Sequence, residues 1–94
     1  MSFNLNTVLS RNESRFLTNP VGEEIIILNM ETGDYLGLNS VGAAIWELLK
    51  TPQSAEQIIE KLHAEFDVDT ETCFRETLEY LKKIEELGLL QTEV

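Results

Sequence analysis

The chain predicts an α+β domain resembling a winged helix-turn-helix: a small three-stranded antiparallel sheet followed by three helices. Three observations carry this. The β-branched run Ile25-Ile26-Ile27 is followed, across Glu31-Thr32-Gly33, by a second short apolar stretch ending at Leu38. From Val41 onward the apolar residues recur at helical rather than alternating spacing. A capping residue precedes each helical stretch. Strands come first and helices after, which separates α+β from an alternating α/β chain.

In order, residues 1–22 are polar with the apolar pairs Val8-Leu9 and Phe16-Leu17 among turn formers such as Asn12 and Asn19-Pro20, and read as two short strands. Residues 24–30 and 34–38 form a hairpin, with Gly33 supplying positive φ in the connection. In the return strand Leu36 and Leu38 point to one face, Tyr35 and Gly37 to the other. Asn39 or Ser40 caps a first helix with the apolar set Val41, Ala44, Ile45, Leu48 and Leu49, Trp46 beside it, ended by Thr51-Pro52. Ser54, with Gln57 three residues on, forms a capping box for a second helix whose stripe is Ile58, Ile59, Leu62 and Phe66. Asp69 or Thr70 caps the longest helix. Its face is Phe74, Thr77, Leu78, Leu81 and Ile84, and Gly88 stops it.

Ninety-four residues make one domain, 1–94, with a modest core and little room for a deep cavity, so a surface groove is expected. Seventeen acidic against seven basic residues give a net charge of −10, which repels nucleic acid and anionic membranes and favours a basic or neutral peptide partner. Cys73 is the one cysteine, so no internal disulfide forms. The start of the sequence lacks a secretory pattern and no apolar run approaches the ~20 residues that cross a bilayer. A cytoplasmic location is expected.

The strand edge and the last helix carry the functional expectation. A strand running straight into a helix leaves a row of main-chain donors and acceptors beside an apolar wall, a geometry that captures an extended peptide. Cys73, Thr77, Tyr80 and Ile84 fall at steps of four, three and four along one flank of the last helix. With the 34–38 edge they would frame a groove; the alternative is that this flank only widens the core. The other flank, Glu71, Arg75, Lys82 and Glu85, reads as solvated surface. Gly37 suits either close backbone approach or a bulge. Gly42-Ala43-Ala44 suits close packing on the sheet.

Catalytic and metal chemistry lack the residues they need. A calcium loop starting at Asp67 would require Gly and Glu where Thr72 and Leu78 stand, so Asp67, Asp69 and Glu71 are better explained as acids at a helix N-terminus. His63 is the sole histidine and lies ten residues before Cys73 on a different helix, with nothing to hold the two together as base and nucleophile. No glycine loop suits a phosphate. No enzyme activity and no cofactor are expected.

With these residues in view, the chain resembles the PqqD-like family, the leader-peptide-binding modules also called RiPP recognition elements. The resemblance rests on Gly33-x-Tyr35-x-x-Leu38-Asn39 running into Gly42-Ala43-x-Ile45-Trp46-x-Leu48-Leu49. It continues through Ser54-x-x-x-Ile58, Leu62, Phe66-Asp67-Val68 and the terminal Leu87-Gly88-Leu89-Leu90. Discrete members that assist lasso-peptide maturation look most similar. The resemblance implies a precursor leader peptide added as a strand beside the third strand and packed on the third helix, then presented to a modifying enzyme such as a leader peptidase or a radical SAM enzyme. By position it implies a floor of Asp34, Tyr35, Leu36, Gly37 and Leu38. The implied wall is Cys73, Thr77, Tyr80, Leu81 and Ile84, with Lys83 or Arg75 as further contacts; Thr77 and Tyr80 are polar for such a wall. The competing classes are a winged-helix DNA-binding regulator and a structural dimerisation module. The last helix has five glutamates against Arg75, Lys82 and Lys83, the wrong sign for reading a DNA groove.

Overall fold

The computed structural model describes residues 3–12, 16–66 and 69–93. Among these residues, two three-stranded antiparallel sheets and three helices surround one core. Strands β1 (Val8–Arg11), β2 (Phe16–Val21), β3 (Glu24–Asn29) and β4 (Tyr35–Leu38) come first. They are followed by α1 (Ser40–Leu48), the short β5 (Gln53–Ser54), α2 (Ala55–Glu65), α3 (Thr70–Glu86) and β6 (Leu90–Glu93). One sheet has the order β2-β3-β4, the other β5-β1-β6.

The expected sheet of three strands is therefore present as β2-β3-β4, and a second sheet accompanies it. That second sheet pairs Val8 with Glu93 and Arg11 with Leu90, joining the two ends of the sequence, while Leu9 pairs with Gln53. The N-terminal strand is thus engaged with β5 and β6, away from β4.

Local chemistry places the helices. The Asn39 side chain accepts from the Gly42 N–H to cap α1, and Asp69 accepts from the Thr72 N–H to cap α3. Ser54 and Gln57 form the reciprocal capping box of α2, with bonds of 3.0 and 3.2 Å. Asp67 and Val68, part of the acidic cluster and of the family pattern, lie outside the described residues. Gly33 and Gly88 adopt φ of +80° and +83°, the left-handed turns that release the hairpin and end α3.

The core joins Leu9 of β1, Ile27 and Leu38 of the hairpin, Ile45, Trp46 and Leu49 around α1, Ile58 and Leu62 of α2, and Leu81 and Ile84 of α3. Trp46 is fully buried and receives the Phe16 ring edge-on at 4.8 Å. The Arg11 guanidinium lies over both rings, at 4.8 Å from Trp46 and 5.2 Å from Phe16, and so ties β1 to β2 and α1. Of the stripe expected on α2, Ile58 and Leu62 are buried while Ile59 and Phe66 are half-buried. On α3 Thr77, Leu81 and Ile84 are buried and Leu78 half-buried. Phe74, expected on the core face, is 40% exposed.

Candidate functional site

The hydrogen-bond alternation of the hairpin decides which groups of β4 are open. The Asn29 N–H donates to the Asp34 carbonyl at 2.8 Å, so Asn29 and Asp34 form a hydrogen-bonded pair. Stepping along the antiparallel register, Ile27 with Leu36 and Ile25 with Leu38 are also bonded pairs, whereas Leu28 with Tyr35 and Ile26 with Gly37 are not. The N–H and C=O groups of Tyr35 and Gly37 therefore face away from β3. Among the described residues no strand pairs with β4 on that side.

The opposite edge of the same sheet is built differently. There Leu17, Asn19 and Val21 point their main-chain groups at β3, and Phe16, Thr18 and Pro20 point outward. Pro20 has no N–H to offer, so β2 is blunted as an acceptor of another strand while β4 is not. Gly37 continues the register without a bulge, and a Cβ built on it would meet nothing within 4 Å.

The helical wall is narrower than the spacing along α3 suggested. Cys73, Thr77, Leu81 and Ile84 turn inward: Cys73 is 4% exposed with its Sγ 3.7 Å from the Ile59 carbonyl of α2, and the other three are fully buried. As placed here these four are core residues. Tyr80 alone of the expected wall reaches the surface, half-buried. Arg75 belongs to the far flank of α3, where it lines a shallow depression with Phe74, Leu78, Glu79 and Lys82.

Tyr80 is seated at the end of the floor strand. A Cβ at Gly42 would stand 2.9 Å from Tyr80 Cε1 and 3.1 Å from Leu38 Cβ, so only glycine lets the ring lie in the β4–α1 corner. Burial, reinforced by the Glu76 carboxylate, pushes the Tyr80 phenol above its usual range, while the Asn39 main-chain N–H pulls the other way. Along the same stripe, Lys83 holds its ammonium 5.5 Å from the Tyr80 ring centroid, and Leu87 lies half-buried at the end of the helix. At that end the Asn29 side chain donates to the Leu87 carbonyl at 2.7 Å. The segment from Tyr80 to Leu87 therefore runs beside β4 in the opposite direction, its Tyr80 ring seated at Gly42 at one end and its Leu87 carbonyl held by Asn29 at the other.

Around this candidate site, sequence reasoning named the 34–38 strand, Tyr80 and the possibility of Lys83, but not Leu87, Asn29, Asn39 or Gly42, which the structure places beside them. A period of two could have found Asn29: it follows Ile25 and Ile27 on the inward face, where a polar residue requires partners. On the outer face of the sheet Leu17, Ile26 and Tyr35 are 57%, 39% and 74% exposed and, with Leu28, line a second shallow depression. Among the described residues no helix is long and apolar enough to cross a membrane.

Comparison with known proteins agrees with this architecture. The structure titled "TbiB1 in Complex with the TbiA(beta) Leader Peptide" is similar with a TM-score of 0.73 and 30% identity, over 86% of this chain and 94% of that one. The structure titled "Lasso peptide synthetase B1 complexed with the leader peptide" is similar in fold, with a TM-score of 0.72 and 18% identity over 88% and 96%. No curated protein is significantly similar in sequence. Residues 24–90, from the start of β3 to the start of β6, match the family described as Coenzyme PQQ synthesis protein D, and the chain belongs to that PqqD family.

Proposed function

We propose that this protein is a non-catalytic adaptor that binds the leader segment of a ribosomally made precursor peptide by strand addition at β4 and delivers it to a modifying enzyme. The observation that carries the reading is the open edge of Tyr35 and Gly37 beside the Tyr80–Leu87 segment of α3. Support comes from the 30% identical relative, TbiB1, which is in complex with the TbiA(beta) leader peptide. The floor is Asp34, Tyr35, Leu36, Gly37 and Leu38. Tyr80 is the exposed wall residue, and Lys83 and Leu87 extend it.

Magnitudes allow this. Two outward residues offer four main-chain groups, and four ladder bonds at about 1 kcal/mol each with about three apolar side chains at ~2 kcal/mol each give on the order of 10 kcal/mol gross. Association and ordering costs of at least ~4 kcal/mol leave about 6 kcal/mol, an affinity on the order of tens of micromolar. An adaptor also needs a second face for its client, whether a leader peptidase or a radical SAM enzyme. The exposed apolar outer face of β2-β3-β4 is such a surface.

The DNA-binding alternative has charge against it, since α3 carries Glu71, Glu76, Glu79, Glu85 and Glu86. The test is binding of a fluorescently labelled leader peptide, taken from a precursor gene sought beside the gene for this protein. Wild type is expected to bind, Tyr80→Ala to weaken binding by about tenfold or more, and a proline in the docked leader segment to abolish it. Absence of affinity at hundreds of micromolar would sink the proposal.

A further inference from the structure

We propose that Asn29 is the positioning residue of the groove, a strut that holds the open edge of β4 and the α3 wall at one spacing. The proposal rests on the reading of this groove as the peptide-docking site. Asn29 is 4% exposed, a polar side chain at an inward strand position otherwise given to isoleucine. Both ends of its amide are used. Oδ1 accepts from the Glu31 N–H at 2.9 Å and the Thr32 N–H at 3.3 Å, which shapes the hairpin tip. Nδ2 donates to the Leu87 carbonyl at 2.7 Å, across 58 positions of sequence. The orientation of the amide is fixed by this network, because two N–H donors must meet oxygen and a carbonyl must meet the NH2.

The partner at Leu87 is the C-cap of α3, where the last carbonyls have no helical donor. Gly88 follows with φ +83°, and a Cβ there would come within 3.5 Å of Asn29 Nδ2. The same residue also begins the floor through its main chain: its N–H bonds Asp34, and its carbonyl accepts from Gly33, each at 2.8 Å. One residue thus links the origin of β4 to the end of the wall. With Tyr80 seated at the β4–α1 corner, both ends of the groove are pinned, and an incoming strand meets a gap of fixed width rather than one it must organise.

The experiment uses Asn29→Asp, which keeps the oxygen that holds the hairpin tip but sets a carboxylate against the Leu87 carbonyl. Burial at a 4% exposed site and the facing Leu87 carbonyl raise that carboxyl above the usual carboxylate range, so protonation in mild acid restores a donor and the strut returns. Spin labels at Met30→Cys in the hairpin and Glu86→Cys on α3 report the spacing, with the buried Cys73 left unlabelled. Titratable groups near the strut in the labelled proteins are Glu31 and Asp34 of the hairpin and Lys83 and Glu85 of the last turn of α3; all are shared with the doubly labelled wild type, which is the control at each pH. The wild type is expected to give one narrow distance at both about pH 7.5 and about pH 5. Asn29→Asp is expected to give a broadened distribution at the higher pH that narrows at the lower. Its affinity for the labelled leader should be about tenfold weaker at the higher pH and should recover at the lower.

An Asn29→Asp variant that is folded and keeps the narrow wild-type distance at the higher pH overturns the strut. So does a broadened distance with unchanged leader affinity. A wild type that shows the narrow distance but binds no leader counts against the adaptor reading, while the distance measurements still decide the strut.

Discussion

Thr77 shows at the level of a single side chain how the core and the candidate site compete for one helix. Its spacing with Cys73, Tyr80 and Ile84 places it on the expected wall, yet it is fully buried and its hydroxyl has no hydrogen-bond partner among the described residues. A buried hydroxyl left unpaired costs about 1–3 kcal/mol. Valine has nearly the same shape and a similar helix propensity, so Thr77→Val removes the cost without opening a cavity. The variant is expected to be more stable by about 1 kcal/mol, read as a higher urea midpoint with an unchanged slope. Its affinity for the leader should equal that of wild type. A loss of affinity would mean that the hydroxyl turns outward to meet the guest, and would return Thr77 to the wall.

At the level of elements, β4 and β2 are the two edges of one sheet and differ in a way proline can report. Pro20 already sits on β2 at an outward position, where the missing N–H leaves the pairing with β3 intact. Gly37 occupies the equivalent outward position on β4, and Leu36 an inward one. Gly37→Pro is therefore expected to keep the fold, with a melting temperature within a few degrees of wild type, while weakening leader binding by about tenfold or more through one lost donor and the bulk of the ring. Leu36→Pro should instead break the β3–β4 ladder and lower stability by about 3 kcal/mol. Equal loss of stability in both variants would mean that the alternation is misassigned and the open groups belong to Leu36. The three helix starts were legible because a cap is a local event: Asn39, Ser54 and Asp69 each bond a donor three residues on. Inward and outward residues of β4 were legible from the period of two. The bonding direction of each residue was not, because it depends on which β3 residue stands opposite.

Over the whole molecule, the chain reads well where its contacts are short in sequence and poorly where they are long. β6 pairs with β1 across almost the entire length, and neither Leu90-Gln91-Thr92-Glu93 nor Val8-Leu9-Ser10-Arg11 has a pattern that names its partner. The exposed part of the α3 flank was illegible for the same reason: steps of three and four locate a flank of α3, but only the placement of α2 beside Cys73 and of α1 beside Tyr80 decides which part of that flank is covered. Charge, by contrast, is a property of the sum. With a net charge of −10, the molecule's field acts on a guest before contact. On the proposed function, recognition in the groove runs through uncharged ladder bonds and apolar packing, with Lys83 the one cation on the Tyr80–Leu87 stripe. Salt should therefore act on association and leave dissociation alone. For a leader of net positive charge, stopped-flow measurements are expected to show the association rate falling by about tenfold between roughly 50 and 500 mM salt, as the Debye length shrinks from about 14 to about 4 Å, with the dissociation rate nearly constant. Reversing the leader's charge at positions outside the docked segment should invert the slope. A salt effect residing mainly in dissociation would place ion pairs inside the groove, and would make Lys83 rather than the open strand edge the principal source of affinity.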